Sequence, residues 1–161
     1  MDVRFEITGD TLTGAINRAL EAAADFTPVM STIASAMREQ TRLRFDNEQA
    51  PDSTPWTPSQ RAIRDGGKTL QIRGVRGGLL GNLLGNAGYT SVEAWIGTNL
   101  IYAGLLHRGG PYRGRQSAKS QNVPKPRQIP ARPIVGFSPW EQEKYPRMLA
   151  DHLLSAWGGG A

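Results

Sequence analysis

At 161 residues the chain is expected to form a single domain over 1–161, long enough to bury a core without cross-links. It contains no cysteine, which excludes disulfides, thiolate zinc sites and cysteine nucleophiles and is compatible with a reducing compartment. Lys and Arg number 19 against 14 acids, a formal charge of +5, which suits contact with nucleic acid or acidic protein faces but speaks to association rather than fold.

The first ten residues, MDVRFEITGD, do not have the pattern of a signal peptide, and cytoplasmic synthesis is expected. Val3, Phe5 and Ile7 alternate with Asp2, Arg4 and Glu6, the period of a half-buried strand. Thr8-Gly9-Asp10 breaks that pattern, with Asp10 as a suitable helix cap. From Thr11 the spacing becomes helical. Leu12, Ile16 and Leu20 recur every four residues, and the helix is expected to reach about Asp25. Pro28 suits the first turn of a second helix, whose buried side carries Ile33, Met37 and Phe45 while Arg38, Glu39, Arg42 and Arg44 face water.

Residues 46–69 read as an irregular polar loop, with Trp56 between Pro55 and Pro58 as a wedged anchor. In the next irregular run, Gly74 to Gly88, Leu79, Leu80, Leu83 and Leu84 have helical spacing. Gly81 and Gly85 weaken any helix there by about 1 kcal/mol each relative to Ala. Tyr89 to Gly97 alternates again, Val92, Ala94 and Ile96 on one face and Trp95 on the other, so both faces are expected to be covered. Asn99 to Leu106 is an apolar segment in which Tyr102-Ala103 is expected to close a core strand ahead of His107.

Arg108 to Phe137 holds Arg108, Arg113, Arg115, Lys119, Lys125, Arg127 and Arg132 without an acid. Its stretch 109–128 reads as a long exposed loop, ordered only by a partner. Ser138-Pro139-Trp140-Glu141 is a capping-box signature opening a helix to about Trp157, with Leu149, Leu153 and Leu154 inward and Pro146 as a candidate kink. No run approaches the roughly 20 apolar residues of a membrane span. The order of elements is that of an α+β domain. A small, mostly antiparallel sheet packs on the N-terminal helices and a C-terminal helix, with long extended loops at about 46–69 and 109–128.

The residues offer little for catalysis. His107 and His152 are the only histidines, neither in a local signature for a serine hydrolase or a metal site. GVRGGLLG (74–81) lacks the Lys-Ser/Thr pair of a phosphate loop and does not sit in a βαβ unit. No cofactor and no metal is expected. The basic loop suits phosphates, or else an acidic neighbouring protein, because proline-rich extended segments dock by strand addition.

Four segments carry a resemblance. Phe45 and Glu48 with PDSTPWTP (51–58), KTLQIRG (68–74), WIGTNLIYAGLLHRGG (95–110) and IPARPIVGFS (129–138) resemble, in order, motifs of the phage virion-morphogenesis and tail-completion family. Ser53 stands where that family often has glycine, and Arg73 where it often has threonine. The resemblance implies a non-enzymatic structural protein of a tailed phage or prophage. Such proteins form rings, commonly hexamers, which close the tail at its head-proximal end and join it to the head. The implied partners are further copies of the chain, tail-tube proteins and head-neck connector proteins. The implied location is the virion neck or tail, reached from the host cytoplasm, with no membrane contact. On this reading Trp56, His107, Arg108, Arg113, Arg115, Lys119, Lys125, Arg127 and Arg132 serve partner binding as anchors and arms, and the basic loop could touch channel DNA without reading its sequence. The competing reading is a basic DNA-binding accessory protein.

Overall fold

The computed structural model describes residues 9–71, 78–112 and 127–158. Among these it is an α+β arrangement of six helices and two antiparallel two-stranded sheets. The strand expected at 3–7 lies outside the described residues.

Two long helices open the fold, α1 (Gly9–Ala24) and α2 (Thr27–Asn47). Helix α1 has already begun at Gly9, so Asp10 lies within it rather than capping it. Between the helices Asp25 Oδ1 accepts the Thr27 amide at 2.8 Å, satisfying a donor that helix geometry orphans. Proline in the first turn of α2 carries no amide to waste there.

Helix α2 is the axis of the molecule. Its first half presents Val29, Ile33 and Met37 to a cluster completed by Tyr145, with Ala94, Ile96, Met148 and Leu149 around it. Its last turn delivers Phe45 to a second cluster of Ala50, Trp56, Leu79, Leu83, Ala103 and Ile134. Arg44 does not face water as expected. It is 6% exposed, because the step from Met37 through Thr41 to Arg44 keeps it on the helix's buried stripe.

Glu48, with φ 54°, ends α2 in the left-handed conformation, and a tight loop follows. The Ala50 amide donates to Thr54 O at 2.8 Å, Ser53 N to Ala50 O at 2.9 Å, and Trp56 N back to Glu48 O at 2.7 Å. Ser53 has φ 67°, a region that glycine occupies without the Cβ clash. Further along 46–69, α3 (Gln60–Asp65) is a short helix capped by Ser59, whose Oγ accepts the Ala62 amide at 3.1 Å.

The leucines of α4 (Leu79–Gly85) form a helix despite two glycines, because Leu79 and Leu83 are buried against α2 and packing outweighs propensity. A minimal hairpin follows, β1 (Gly88–Tyr89) and β2 (Ala94–Trp95), with Gly88 opposite Trp95 and Tyr89 opposite Ala94. Arg38, at the midpoint of α2, donates to Ala87 O and fixes the hairpin's base.

The strand expected at Tyr102-Ala103 is instead the entry to a helix, α5 (Ala103–Arg108). Ala103, Leu105 and Leu106 are unbranched at Cβ and favour helix, and a turn from Ala103 N to Leu100 O at 2.9 Å starts the winding. The ends of the expected exposed loop 109–128 are also paired. Strand β3 (Gly110–Tyr112) runs antiparallel to β4 (Arg127–Ile129), joining Gly110 to Ile129 and Tyr112 to Arg127.

The final helix α6 (Pro139–Gly158) carries the expected capping box. Glu141 N donates to Ser138 Oγ at 3.2 Å and Ser138 N to Glu141 Oε2 at 2.8 Å. Pro146 is accommodated inside one continuous helix. Leu149 packs on the α2 cluster, but Leu154, expected inward, is 66% exposed. It lies beyond the reach of α2, where α6 is accompanied chiefly by α1. No helix among the described residues is long and apolar enough to cross a membrane.

Candidate functional site: the His107 junction

Three sequence-distant segments meet where the chain leaves for, and returns from, the basic loop. Helix α5 ends in His107 and Arg108, the returning chain brings Pro130 to Ile134 alongside it, and the loop after α2 adds Trp56 to Pro58. Arg132 N donates to Leu106 O at 2.9 Å. The Ile134 amide donates to His107 Nδ1 at 3.1 Å. His107 Nδ1 is thus an acceptor that holds the returning backbone in place.

Trp56 is buried edge-on against Phe45, ring centroids 5.3 Å apart at 83°, and its indole N–H donates to Pro133 O at 3.0 Å. Arg132 is buried too, its Nε donating to Thr57 O at 2.8 Å and its Nη2 to Pro58 O at 3.5 Å. Desolvation holds its pKa below the ordinary arginine value. The guanidinium is compensated by backbone carbonyls. Glycine is required at 109, where φ is 71° and a Cβ would lie 2.6 Å from Ala131 N.

Glu48, whose carbonyl accepts the Trp56 amide, braces the same region. Its carboxylate accepts the Thr69 amide. Burial opposes its ionisation, but hydrogen bonding from Thr69 and the charge of Lys68 hold it below the usual carboxylate range. Of the site residues read from sequence, Trp56, His107 and Arg132 are therefore brought together. Arg108 is exposed beside them, on the rim of a groove of about 290 Å³ lined by Leu83, Ala103, His107 and Ile134. Arg127 is exposed on β4. Arg113, Arg115, Lys119 and Lys125 lie outside the described residues.

Sequence reasoning missed the ionic tie between α2 and α6. Arg44 of α2 donates to Glu141 Oε2 of α6, with both side chains buried. Tyr145 donates its hydroxyl to Glu141 Oε1 at 3.0 Å. Burial first, then the bond to Glu141, raises the phenol's pKa well above its ordinary value. Glu141 was legible as a capping residue, but its partner is 97 positions away and no local pattern connects them. His152 has a structural place as well, its Nε2 lying 3.2 Å from Ala22 O and its ring against Phe26.

The described residues contain no group of three or more His, Asp or Glu side chains placed to hold a metal. The segments that converge on the junction are those that carried the family resemblance: the Phe45 to Pro58 loop, the YAGLLHRGG turn and the PARP return. The model of the phage virion morphogenesis family matches residues 7–154. The chain belongs to the phage virion morphogenesis family. Its match extends over α1 to α6 and the junction, and the member has a virion-related role in a phage. No curated protein and no solved structure matches the chain.

Removing the His107 ring isolates its contribution. His107→Ala is expected to leave the Ile134 amide without its acceptor and to cost about 1–3 kcal/mol. Denaturant unfolding measures this, and an unchanged midpoint would mean that the bond to Ile134 contributes nothing.

Proposed function

We propose that this family member is a ring-forming tail-completion protein, acting in the neck of a tailed phage where the tail is closed and joined to the head. The observation that carries the reading is the junction itself, in a chain of this family. Part-buried hydrogen bonds involving His107, Trp56 and Arg132 hold both ends of the basic loop on the body, and β3 pairs with β4 as its stem. A fixed stem lets a loop of cationic residues grip a different surface on the next subunit, the heterologous contact that closes rings. The role is geometric, with no bond made or broken. Trp56, His107, Arg108 and Arg132 set the loop's exit. Arg113, Arg115, Lys119, Lys125 and Arg127 meet the acidic face of a neighbour, of a tail-tube protein or of a connector protein.

The test is mass in solution by light scattering, together with immunodetection of the protein in purified virions. A ring of several copies, most simply six, located at the head-proximal end of the tail is expected. A monomer at all concentrations that is also missing from virions would overturn the reading. The acid-free run from Arg108 to Phe137 also favours a second reading, binding to DNA. That reading requires affinity falling steeply with salt and lost when the five loop cations become Ser, with assembly intact.

A further inference from the structure

The β1–β2 hairpin ends in a fixed tip. Thr90 N donates to Glu93 O at 2.8 Å, and Thr90 Oγ1 accepts the Val92 and Glu93 amides at 3.3 and 3.2 Å. A turn held in this way loses little conformational freedom when another surface grips it. Val92 at the tip is 74% exposed, and Trp95 on β2 is 43% exposed. Covering of the Trp95 face, expected from the alternating sequence, is not supplied by the described residues. Glu93 is exposed as well, and among the described residues it has no ion pair.

The groove beside His107 has the complementary features. Leu83, Leu100, Ile134 and Val135 give it an apolar lining, and its volume of about 290 Å³ suits a side chain rather than a large ligand. Arg108 on its rim is exposed and, like Glu93, has no ion pair among the described residues. A cation at the mouth of an apolar groove selects an apolar side chain with a carboxylate next to it. Val92 and Glu93 are such a pair.

Tip and groove do not meet within one copy. Ala94 and Ile96 pack on the α2 cluster while Trp95 is exposed between them, the alternation of an extended strand. Gly97 and Thr98, which follow that strand, line the groove, whereas Val92 and Glu93 precede it. The two therefore lie at opposite ends of one strand. Pairing of Gly88 with Trp95 and of Tyr89 with Ala94 keeps the tip from folding back.

We infer that the hairpin tip of one copy docks in the His107–Arg108 groove of the next, Val92 on the apolar lining and Glu93 on Arg108. The contact joins two different surfaces, so it repeats head to tail and closes as a ring. It also brings the open side of Trp95 against the neighbour, where aromatic side chains contribute most. The inference rests on the ring reading and deepens it by naming two surfaces that meet.

Charge reversal tests the pairing. Glu93→Arg and Arg108→Glu are each expected to weaken self-assembly, measured by light scattering, by at least roughly tenfold. Both residues are exposed, so the unfolding midpoints should not change. Mixing the two variants should restore assembly, because in an alternating ring every contact again joins opposite charges. The chain's lack of cysteine allows a second readout. Val92→Cys and Gly97→Cys proteins are purified separately, mixed and treated with a short bis-maleimide. A Cβ at Gly97 meets no atom within 4 Å, and a cross-link joining one chain of each variant is expected. Wild-type rings that neither reversal weakens, or reversals that fail to rescue each other, would overturn the docking and leave the ring reading standing. So would assembled protein without the mixed cross-link, or a double Val92→Cys/Gly97→Cys protein that links only within one chain. A wild-type protein that never assembles would remove both.

Discussion

Glu141→Ala is expected to destabilise the folded protein by about 3–5 kcal/mol, because it strands a buried guanidinium. Arg44 and Glu141 are both nearly inaccessible to water, so water cannot replace the lost carboxylate. The same substitution removes the acceptor of the Tyr145 hydroxyl and of the Ser138 amide, uncoupling α6 from α2 and opening its cap together. For a chain of this size each kcal/mol lowers the midpoint by roughly 2–4 °C, so a fall on the order of 10 °C is expected by calorimetry. Glu143→Ala is the control. Its partner Arg147 is on the surface, 3.2 Å away, and exposed pairs of this kind contribute about 0–1 kcal/mol. Equal effects from the two substitutions would refute a structural role for the buried pair.

Trp56→Ala is expected to cost about 3–5 kcal/mol, the range for removing a large aromatic from a packed core. Trp56 fills the cluster around Phe45, Leu83 and Ile134, and its indole N–H is the donor to Pro133 O. The loss should reach the basic loop, since the loop after α2 and the returning PARP segment are tied through this side chain and through Arg132. Trp56→Phe keeps most of the apolar volume but leaves the Pro133 carbonyl without its donor, for about 1–3 kcal/mol. Denaturant unfolding separates the two contributions. If Trp56→Phe is as damaging as Trp56→Ala, packing is not the larger part.

The two expectations differ in how visible their causes are in the sequence. Trp56 between prolines stood out as an anchor, because an aromatic in a rigid polar stretch has few reasons to be there other than burial. Ser138-Pro139-Trp140-Glu141 was legible as a helix start because a capping box is complete within four residues. The Arg44 partnership was not. On α2 its neighbours Arg38, Glu39 and Arg42 suggest a wet face, and only the position of α6 turns Arg44 into a buried ion.

Two further elements mark the same boundary. Tyr102-Ala103 read as the end of a strand because a short apolar run has no period long enough to separate helix from strand. The turn at Leu100 and the burial of Ala103 decide for α5. Leu154 read as inward because helical spacing continues that stripe, but a stripe is buried only as far as something lies against it. Trp95 makes the converse case: alternation required a cover, and the described residues of one copy do not provide it.

By itself, then, the sequence determined the α+β class, the two long opening helices, the capped final helix, the anchor at Trp56 and the family, all through signals contained within a few neighbouring residues or a short ordered set of motifs. The tertiary structure alone decided what joins those elements: Arg44 to Glu141, His107 to Ile134, Arg132 to Thr57, and the paired ends of the basic loop. These contacts depend on where distant segments arrive after folding, and a buried polar side chain looks like a solvated one until its partner is in place.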